Sequence, residues 1–533
     1  MNSPLLAVTI VGALSANGVT DVVLAPGSRN AALALALHAA DAAGGLRLHV
    51  RVDERVAAFL ALGLAKASAR PVAVITTSGT AVGNLVPAAM EARAAGVGLL
   101  VVTADRPSDV VGTGANQTAQ QVGAIGSAAL EILRVASTSG TPRAWAAAVG
   151  RAYALAAGTR TRQPGPVHIN VEFSPPLVAA VSSEPITVAQ VDASCAAAAA
   201  ELPSGPRTVV LAGDATPAVG AEARALAEVA GVPLLAEPSS NARAGSSAIA
   251  HYRLLLGSAL GSQIQRVICF GHPTVSRPTS VLLGRDDVEL IVLAGPAWWP
   301  DPGHRAAAVH DRVTLAGQDP LWLEQWRAAD ARLARRRGAA AWDGAGLAAE
   351  TIAALGPSDN LVLGASAIIR DADLAPVAAR PPLVYANRGL SGIDGTVATA
   401  TGIALATSRP TTVLLGDLTL QHDLGALVRP PLEPDAGLRL VVADDAGAAI
   451  FATLEQGDQA YAGAYERVFG TPQGIDLAAV GSALGWRTSV VTSLDQFRRA
   501  LAEPAAGHFI LARLERGTRR ERDQALRQLS QNP

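Results

Sequence analysis

Short apolar runs alternate with stretches of helical character along almost the whole chain. Asp21–Ala25, Leu46–Val52, Pro71–Thr76 and Val97–Thr103 are runs rich in Val, Leu and Ile and are predicted to be strands. Between them the pattern predicts helices ending near Ala40, Lys66 and Glu91. The scheme returns twice. Thr208–Ala212, Val232–Leu235, Arg266–Phe270 and Val288–Leu293 form one further set of strands; Asn360–Leu363, Leu383–Tyr385, Thr411–Leu415 and Leu438–Ala443 form another. The Arg/Ala-rich segment 325–342 is predicted to be a helix leading out of the second set. Repeated strand–helix alternation implies parallel strands with right-handed crossovers. The predicted fold class is therefore α/β, with three doubly wound parallel-sheet domains at 1–182, 206–342 and 343–533. A Ser-, Pro- and Ala-rich linker occupies 183–205. No repeat of 20–50 residues and no heptad pattern interrupts this scheme.

In such sheets, ligands bind beyond the carboxyl ends of the strands, and polar clusters stand at those ends. They are Pro26-Gly27-Ser28-Arg29, Asp53-Glu54-Arg55, Thr77-Ser78-Gly79-Thr80 and Ala104-Asp105-Arg106-Pro107, then Gly416-Asp417-Leu418-Thr419 and Asp444-Asp445-Ala446-Gly447. Asp417 and Asp445 follow two neighbouring strands. Mg²⁺ takes hard oxygen ligands and shares them with phosphates. The backbone carbonyl of Gly447 can add a ligand, and Gly416 and Thr419 let amides and a hydroxyl approach a diphosphate. Either aspartate alone would pass for a helix N-cap; the pair, with the N-terminal cluster, reads as a cation–diphosphate grip. Glu54 would pass for a member of a surface ion-pair cluster, except that it ends an apolar strand on the ligand face, where a carboxyl can be desolvated and hold its proton.

Arg29, Arg106, Arg277, Arg370 and Arg388 lie after strands or in turn-like segments. Arginine grips carboxylates bidentately, so several converging would suit a substrate pair rich in carboxylates. Asn387-Arg388-Gly389-Leu390-Ser391-Gly392-Ile393-Asp394-Gly395 is a Gly-rich loop. Ile393 fits either the core or an apolar wedge under a bent cofactor.

Composition narrows the classes. The chain has 533 residues, too many for one core, and its 17% charged content suits a large, well-buried, oligomeric protein. A net charge of −2 provides no polycationic face for nucleic acid. Cys195 and Cys269 alone exclude a disulfide framework and a Cys-based zinc site, and fit a reducing cytoplasm. Leu5–Ala16 lacks the basic flank of a signal peptide, the first basic residue being Arg29, and its Leu6, Ile10 and Leu14 fit a helix face. No run approaches the ~18 apolar residues that span a bilayer. The histidines show no metal-ligand spacing, and no nucleophile elbow or Walker loop is present.

Together these motifs carry a resemblance. Pro-Gly-Ser-Arg-Asn (26–30), Asp-Glu-Arg (53–55), Thr-Ser-Gly-Thr-Ala (77–81), Ala-Asp-Arg-Pro (104–107), Gly-Ala-Asn-Gln (114–117), Asn-Arg-Gly-Leu-Ser-Gly-Ile-Asp-Gly (387–395) and Gly-Asp-Leu-Thr (416–419) occur in this order. The chain resembles the MenD family of thiamine-diphosphate enzymes, the 2-succinyl-5-enolpyruvyl-6-hydroxy-3-cyclohexene-1-carboxylate synthases of menaquinone biosynthesis. The resemblance implies that the three domains are pyrimidine-binding, central and diphosphate-binding. It implies a transferase that decarboxylates 2-oxoglutarate and adds the succinyl unit to isochorismate. Thiamine diphosphate with Mg²⁺ or Mn²⁺ would be the cofactors. Glu54 would exchange a proton with the cofactor's pyrimidine ring. Pro26, Thr77, Asn84, Ser391, Ile393, Gly416, Asp417, Leu418, Thr419, Ile450 and Phe451 would surround the cofactor, with Asp417, Asp445 and Gly447 on the metal. Ser28, Arg29, Arg106, Asn116, Gln117 and Arg277 would lie near isochorismate, and Ser366, Arg370 and Arg388 near the 2-oxoglutarate-derived part. Glu54 and the diphosphate grip would come from different subunits of a homodimer or homotetramer. The central domain, with no flavin signature, would be architectural.

One segment departs from the family pattern. Asp444-Asp445-Ala446-Gly447-Ala448-Ala449 stands where the family has an Asn-rich stretch and Gly-Gly. Ala446 loses a side-chain amide. Ala448 replaces a flexible Gly, and at φ > 0 it would cost on the order of 1 kcal/mol. Two rival readings fit subsets of the motifs. One is another thiamine-diphosphate keto-acid decarboxylase or carboligase, for which the arginines are superfluous. The other is a catalytically silent relative, which only the altered segment supports.

Overall fold

The computed structural model describes residues 3–180, 186, 188–296 and 298–531. Positions 183–185 and 187 of the expected linker lie outside the described residues.

The first parallel sheet contains β1 (Asp21–Leu24), β2 (Arg47–Val50), β3 (Val72–Thr76), β4 (Leu99–Asp105), β5 (Ile132–Ala136) and β6 (Pro166–Glu172), in the order β2-β1-β3-β4-β6-β5. A short β7 (Ala200–Leu202), inside the segment expected to be linker, pairs with β13 (Val313–Leu315). The second sheet has β8 (Thr208–Ala212), β9 (Leu234–Ala236), β10 (Arg266–Phe270), β11 (Glu289–Leu293) and β12 (Ala306–His310), ordered β12-β11-β10-β8-β9. The third has β14 (Asn360–Leu363), β15 (Leu383–Ala386), β16 (Thr411–Gly416), β17 (Arg439–Asp444), β18 (Arg487–Val491) and β19 (His508–Arg513), ordered β15-β14-β16-β17-β19-β18. Every pairing within these sheets is parallel.

Strands β3 and β4 are buried along their whole length, which is why they read as apolar runs: helices cover both faces. β6 is equally buried but carries His168, Asn170 and Glu172, and the sequence pattern does not predict it. The edge strands β5 and β18 are half-exposed and carry Arg134 and Arg487. Their mixed composition hid them from the sequence pattern, as edge strands commonly do. Two helices differ from expectation. The predicted helix through Glu91 breaks at Asn84 into Thr80–Gly83 and Val86–Ala95, with Pro87 starting the second piece. The helix expected at 325–342 begins earlier, at Pro320, and stops at Arg337, where Gly338 takes φ +71.

The chain divides into two compact units. One comprises Met1–Cys195, Gly389–Ser408 and Asp423–Ala436; the other comprises Ala196–Arg388, Arg409–His422 and Gly437–Pro533. In the first, the helices Glu54–Ser68 and Thr396–Thr407 cross with their backbones touching. A Cβ on Gly63 would lie 2.0 Å from the Thr399 carbonyl oxygen, and one on Gly402 would lie 2.2 Å from that of Leu60. The crossing fixes the helix that begins at Glu54. Gly63→Ala or Gly402→Ala is expected to destabilise the protein by about 1–3 kcal/mol, read as a lower denaturant midpoint, whereas Gly83→Ala, which meets nothing within 4 Å, is not.

Candidate active site

A parallel sheet opens a crevice where strand order reverses. In the first sheet this point lies between β1 and β3, and the turns after both strands meet there. A Cβ on Gly27 would lie 2.4 Å from the Cβ of Thr77, so only glycine lets the turn carrying Pro26, Ser28 and Arg29 press against Thr77. Pro26 and Ser28 are exposed. Arg29 donates from Nη1 to the Phe173 carbonyl at 2.9 Å, and its Nε is buried without a partner. Burial, and then the nearby Arg106 charge, push the Arg29 guanidinium below its usual range. The fold has thus brought two cations together, an arrangement an anion would relieve. Arg106 Nε donates to the Asn116 carbonyl at 2.7 Å. Gln117, at φ +54, exchanges hydrogen bonds with Ser78: its carbonyl accepts from the Ser78 hydroxyl at 2.9 Å, and its amide donates to the Ser78 carbonyl at 3.1 Å.

A buried polar relay behind these turns escaped the sequence reading. Gln121 Oε1 accepts from Gly79 N–H at 2.9 Å, its Nε2 donates to Asn170 Oδ1 at 3.2 Å, and Asn170 Nδ2 donates to Asp105 Oδ2 at 2.9 Å. Burial raises the Asp105 pKa. The sequence signal available was the alternation of polar His168, Asn170 and Glu172 with apolar residues in β6.

Glu54 is the first residue of its helix. Asp53 caps that helix by accepting from the N–H groups of Arg55 and Val56 at 2.8 and 3.1 Å. Glu54 is half-buried, and its Oε2 accepts from Asn84 Nδ2 at 3.3 Å. The loop at 389–395 belongs to the same unit. The buried Glu91 carboxylate accepts from Gly389 N–H at 2.8 Å and from Leu390 N–H at 2.7 Å, and Ser391 takes φ +60. Ile393 is half-buried rather than lost in the core, which leaves the wedge reading open to it.

In the second unit, the third sheet reverses order between β14 and β16. Gly416 ends β16 and faces Ser366 beyond β14; a Cβ on Gly416 would lie 3.3 Å from Ser366 Oγ. Asp417 opens the helix Asp417–His422 and is 4% exposed, with Thr419 buried and Leu418 half-buried behind it. Asp417 accepts a backbone N–H bond from Gly447, which ties the two strand ends together. Burial pushes the Asp417 pKa up to about 6. Burial and then the Asp417 charge push Asp445 up to about 7. Asp445 Oδ1 is buried without a hydrogen-bond partner. Two carboxyls whose ionised forms burial disfavours, with the Asp417 charge adding to the effect at Asp445 and one oxygen of Asp445 orphaned, suit a divalent cation. Among the described residues, no group of three or more His, Cys, Asp or Glu could hold a metal ion. A cation here would complete its shell with other oxygens, as Mg²⁺ does on a diphosphate.

The turn at 446–448 corrects one expectation. Ala446, not Ala448, takes the left-handed conformation, at φ +57; Ala448 sits at φ −88. The strain therefore falls on the position that lost its amide, since Asn tolerates this region and Ala does not. Gly447, at φ +148, cannot be replaced, because a Cβ would lie 2.3 Å from the Gly470 carbonyl oxygen. Ile450 and Phe451 follow half-buried, with the Phe451 ring 5.8 Å from that of Phe469.

The arginines separate. Arg370 lies inside the helix Ala367–Ala372, not in a turn, and Ser366 caps that helix. Burial and then the charges of Arg388, Arg253 and Arg519 lower the Arg370 pKa, so Arg370 and Arg388 belong to one cationic cluster. Arg388 is 2% exposed. Arg277 opens the helix Arg277–Leu283 and pairs with Glu455 at 2.9 Å, both side chains largely exposed. Arg516 and Arg519 near Asp445 were missed; their Arg-rich segment reads as an ordinary solvated helix.

A thiamine pyrophosphate enzyme is the class that this fold and these strand ends define. The model described as "Thiamine pyrophosphate enzyme, N-terminal TPP binding domain" matches residues 6–124. Within that class, the chain belongs to the family of 2-succinyl-5-enolpyruvyl-6-hydroxy-3-cyclohexene-1-carboxylate synthases. It is 45% identical to the synthase of that name from Nocardioides sp., over 98% of this chain and 96% of that protein. It is 47% identical to the one from Kineococcus radiotolerans over 91% and 90%, and 44% identical to the one from Paenarthrobacter aurescens over 94% and 92%.

Two outcomes follow from this geometry. A raised carboxyl pKa means that the ionised form is disfavoured in the fold, so the apo protein loses stability as pH rises from about 4 through about 7. Asp445→Asn should therefore stabilise the apo protein at pH 8 by roughly 1–3 kcal/mol and abolish the rise in melting temperature on adding Mg²⁺ with thiamine diphosphate. At the turn, Ala446→Gly should be neutral to stabilising by up to about 1 kcal/mol, whereas Ala448→Gly should destabilise by about 0.5–1 kcal/mol. Denaturant unfolding reads both.

Proposed function

We propose that the protein is a thiamine-diphosphate-dependent transferase that decarboxylates 2-oxoglutarate and adds the resulting succinyl unit to isochorismate, as its family resemblance implies. The observation that carries this reading is the Arg370–Arg388 cation cluster in the same unit as the Gly416–Asp417 strand end, with Ser366 touching both elements. An enzyme for small monocarboxylic keto acids would need no such cluster; a dicarboxylic one does.

Bound thiamine diphosphate supplies the electron sink for decarboxylation. Asp417, Asp445 and the Gly447 carbonyl would hold Mg²⁺ or Mn²⁺, with Gly416, Leu418, Thr419, Ile450 and Phe451 lining the diphosphate end. Pro26, Thr77, Asn84, Ser391 and Ile393 would line the rest of the cofactor. The Glu54 carboxyl holds and returns a proton at its Oε atoms, and Asn84 orients it. Ser366, Arg370 and Arg388 bind the keto acid's carboxylates. Arg29 and Arg106, with Ser28, Asn116, Gln117 and Arg277, bind the carboxylates of the acceptor. The working assembly is a cytoplasmic homodimer or homotetramer in which Glu54 and the carboxylate pair it serves come from different subunits, built from domains at 1–182, 206–342 and 343–533. Among the described residues, no helix is long and apolar enough to cross a membrane.

The test is isochorismate consumption with 2-oxoglutarate, Mg²⁺ and thiamine diphosphate. Loss of isochorismate absorbance should need every component and should fall by at least about 100-fold in Glu54→Gln. Turnover with pyruvate in place of 2-oxoglutarate, or cofactor binding with no CO₂ release, would contradict the reading.

A further inference from the structure

The first and third sheets share one strand order, the five-stranded second sheet repeats its reversal beside the first strand, and two of these three reversal points carry the residues described above. The third is closed by its own backbone. In the second sheet, order reverses between β8 and β10. The chain leaving β8 and the chain leaving β10 are bonded to each other there, Asp214 N–H to the His272 carbonyl at 3.1 Å and His272 N–H to the Asp214 carbonyl at 3.0 Å. Two glycines permit this closure. A Cβ on Gly213 would lie 2.0 Å from Pro273 N, and one on Gly271, at φ +64, would lie 2.4 Å from the Asp214 carbonyl oxygen. The crevice in which a nucleotide sits in other doubly wound sheets is filled by peptide.

The closed turn runs on into Pro273-Thr274-Val275. Glu237, directly after β9 and fully buried, receives this segment: its carboxyl accepts from Thr274 N–H at 3.1 Å and from Val275 N–H at 2.8 Å. Thr274 in turn receives Arg388. Its hydroxyl accepts from Arg388 Nε at 3.0 Å and from Nη2 at 2.7 Å, and its carbonyl accepts from Nη2 at 2.8 Å. A carboxyl in the middle sheet thus fixes a backbone segment, and that segment fixes the side chain of an arginine from the third. Burying a carboxyl completely is costly, and burial raises the Glu237 pKa to about 8 against the pull of its two N–H donors. A fold that needed only a packed core would place an apolar side chain here.

We propose that Glu237 is a positioning residue for Arg388, acting through Thr274, and that the middle sheet serves the keto-acid site by aiming this arginine instead of binding a ligand at its own reversal point. The inference rests on the reading above that Arg388 meets a carboxylate of 2-oxoglutarate.

The test compares Glu237→Gln, Thr274→Val, Thr274→Ser and Arg388→Ala in steady-state assays with both substrates varied. Gln offers an amide N–H to one of two N–H donors, and Val removes the hydroxyl at constant shape. Glu237→Gln and Thr274→Val should each raise KM for 2-oxoglutarate about tenfold, with KM for isochorismate unchanged and kcat within about threefold. Thr274→Ser, which keeps the hydroxyl, should stay within about twofold of the parent. In the Arg388→Ala background, neither change should add anything. If Glu237→Gln does not fold, the Thr274 pair decides alone. An unaltered KM for 2-oxoglutarate in Thr274→Val, equal losses in the valine and serine variants, equal losses for both substrates, or effects that add to those of Arg388→Ala would each overturn the proposal. If Arg388→Ala itself leaves KM for 2-oxoglutarate unchanged, the assignment of Arg388 to the keto acid fails, and the role of Glu237 falls with it.

Discussion

Two carboxyl groups withdrawn from water and facing one another cannot both ionise cheaply, and the second unit is built around such a pair. Asp417 and Asp445 are held by elements that cannot easily yield. Each closes a fully parallel, largely buried strand, and the Gly447 N–H bond ties one strand end to the other. The repulsion is stored in the fold until a divalent cation and the oxygens it brings remove it. An orphaned oxygen on Asp445 and the charges of Arg516 and Arg519 from the C-terminal segment fit that constraint.

The same economy of placement runs through the rest of the molecule. Each sheet reverses order beside its first strand, and glycines let the neighbouring turns approach closely there. Gly27 brings the Arg29 turn against Thr77, and Gly416 lets Ser366 close in on the strand end. Gly213 and Gly271 do the opposite for the second sheet and seal it. What differs between a binding crevice and a scaffold is therefore a matter of which backbone is allowed to approach.

Buried strands with a mainly apolar run were legible in the sequence; Thr208–Ala212, Arg266–Phe270 and Asn360–Leu363 are found where the pattern predicts them, whereas β6, buried but interrupted by His168 and Asn170, and the buried β19 were not predicted. Edge strands β5 and β18 were not legible, since one side faces water and their residues alternate without a clear period. The strand-end acids and arginines stood out because polar groups at that end of a parallel sheet have a reason to be there. Their environments did not. Which of Ala446 and Ala448 takes positive φ depends on how the turn meets Gly470, and no local pattern records that. Glu237 carries no motif at all. A lone Glu after Leu234-Leu235-Ala236 looks like any strand exit, and only its depth and its two backbone donors separate it from a solvated one.

The central claim is that the buried carboxylate pair is the cation–diphosphate grip. Calorimetric titration of the protein with thiamine diphosphate at pH 6, with and without Mg²⁺ and in two buffers of different ionisation enthalpy, tests it most directly. Groups raised to about 6 and about 7 must lose protons to accept a cation. The account predicts binding only with Mg²⁺, with proton release that falls when Asp445 is replaced by Asn. Tight binding without a divalent cation, or proton release unaffected by that replacement, would contradict it.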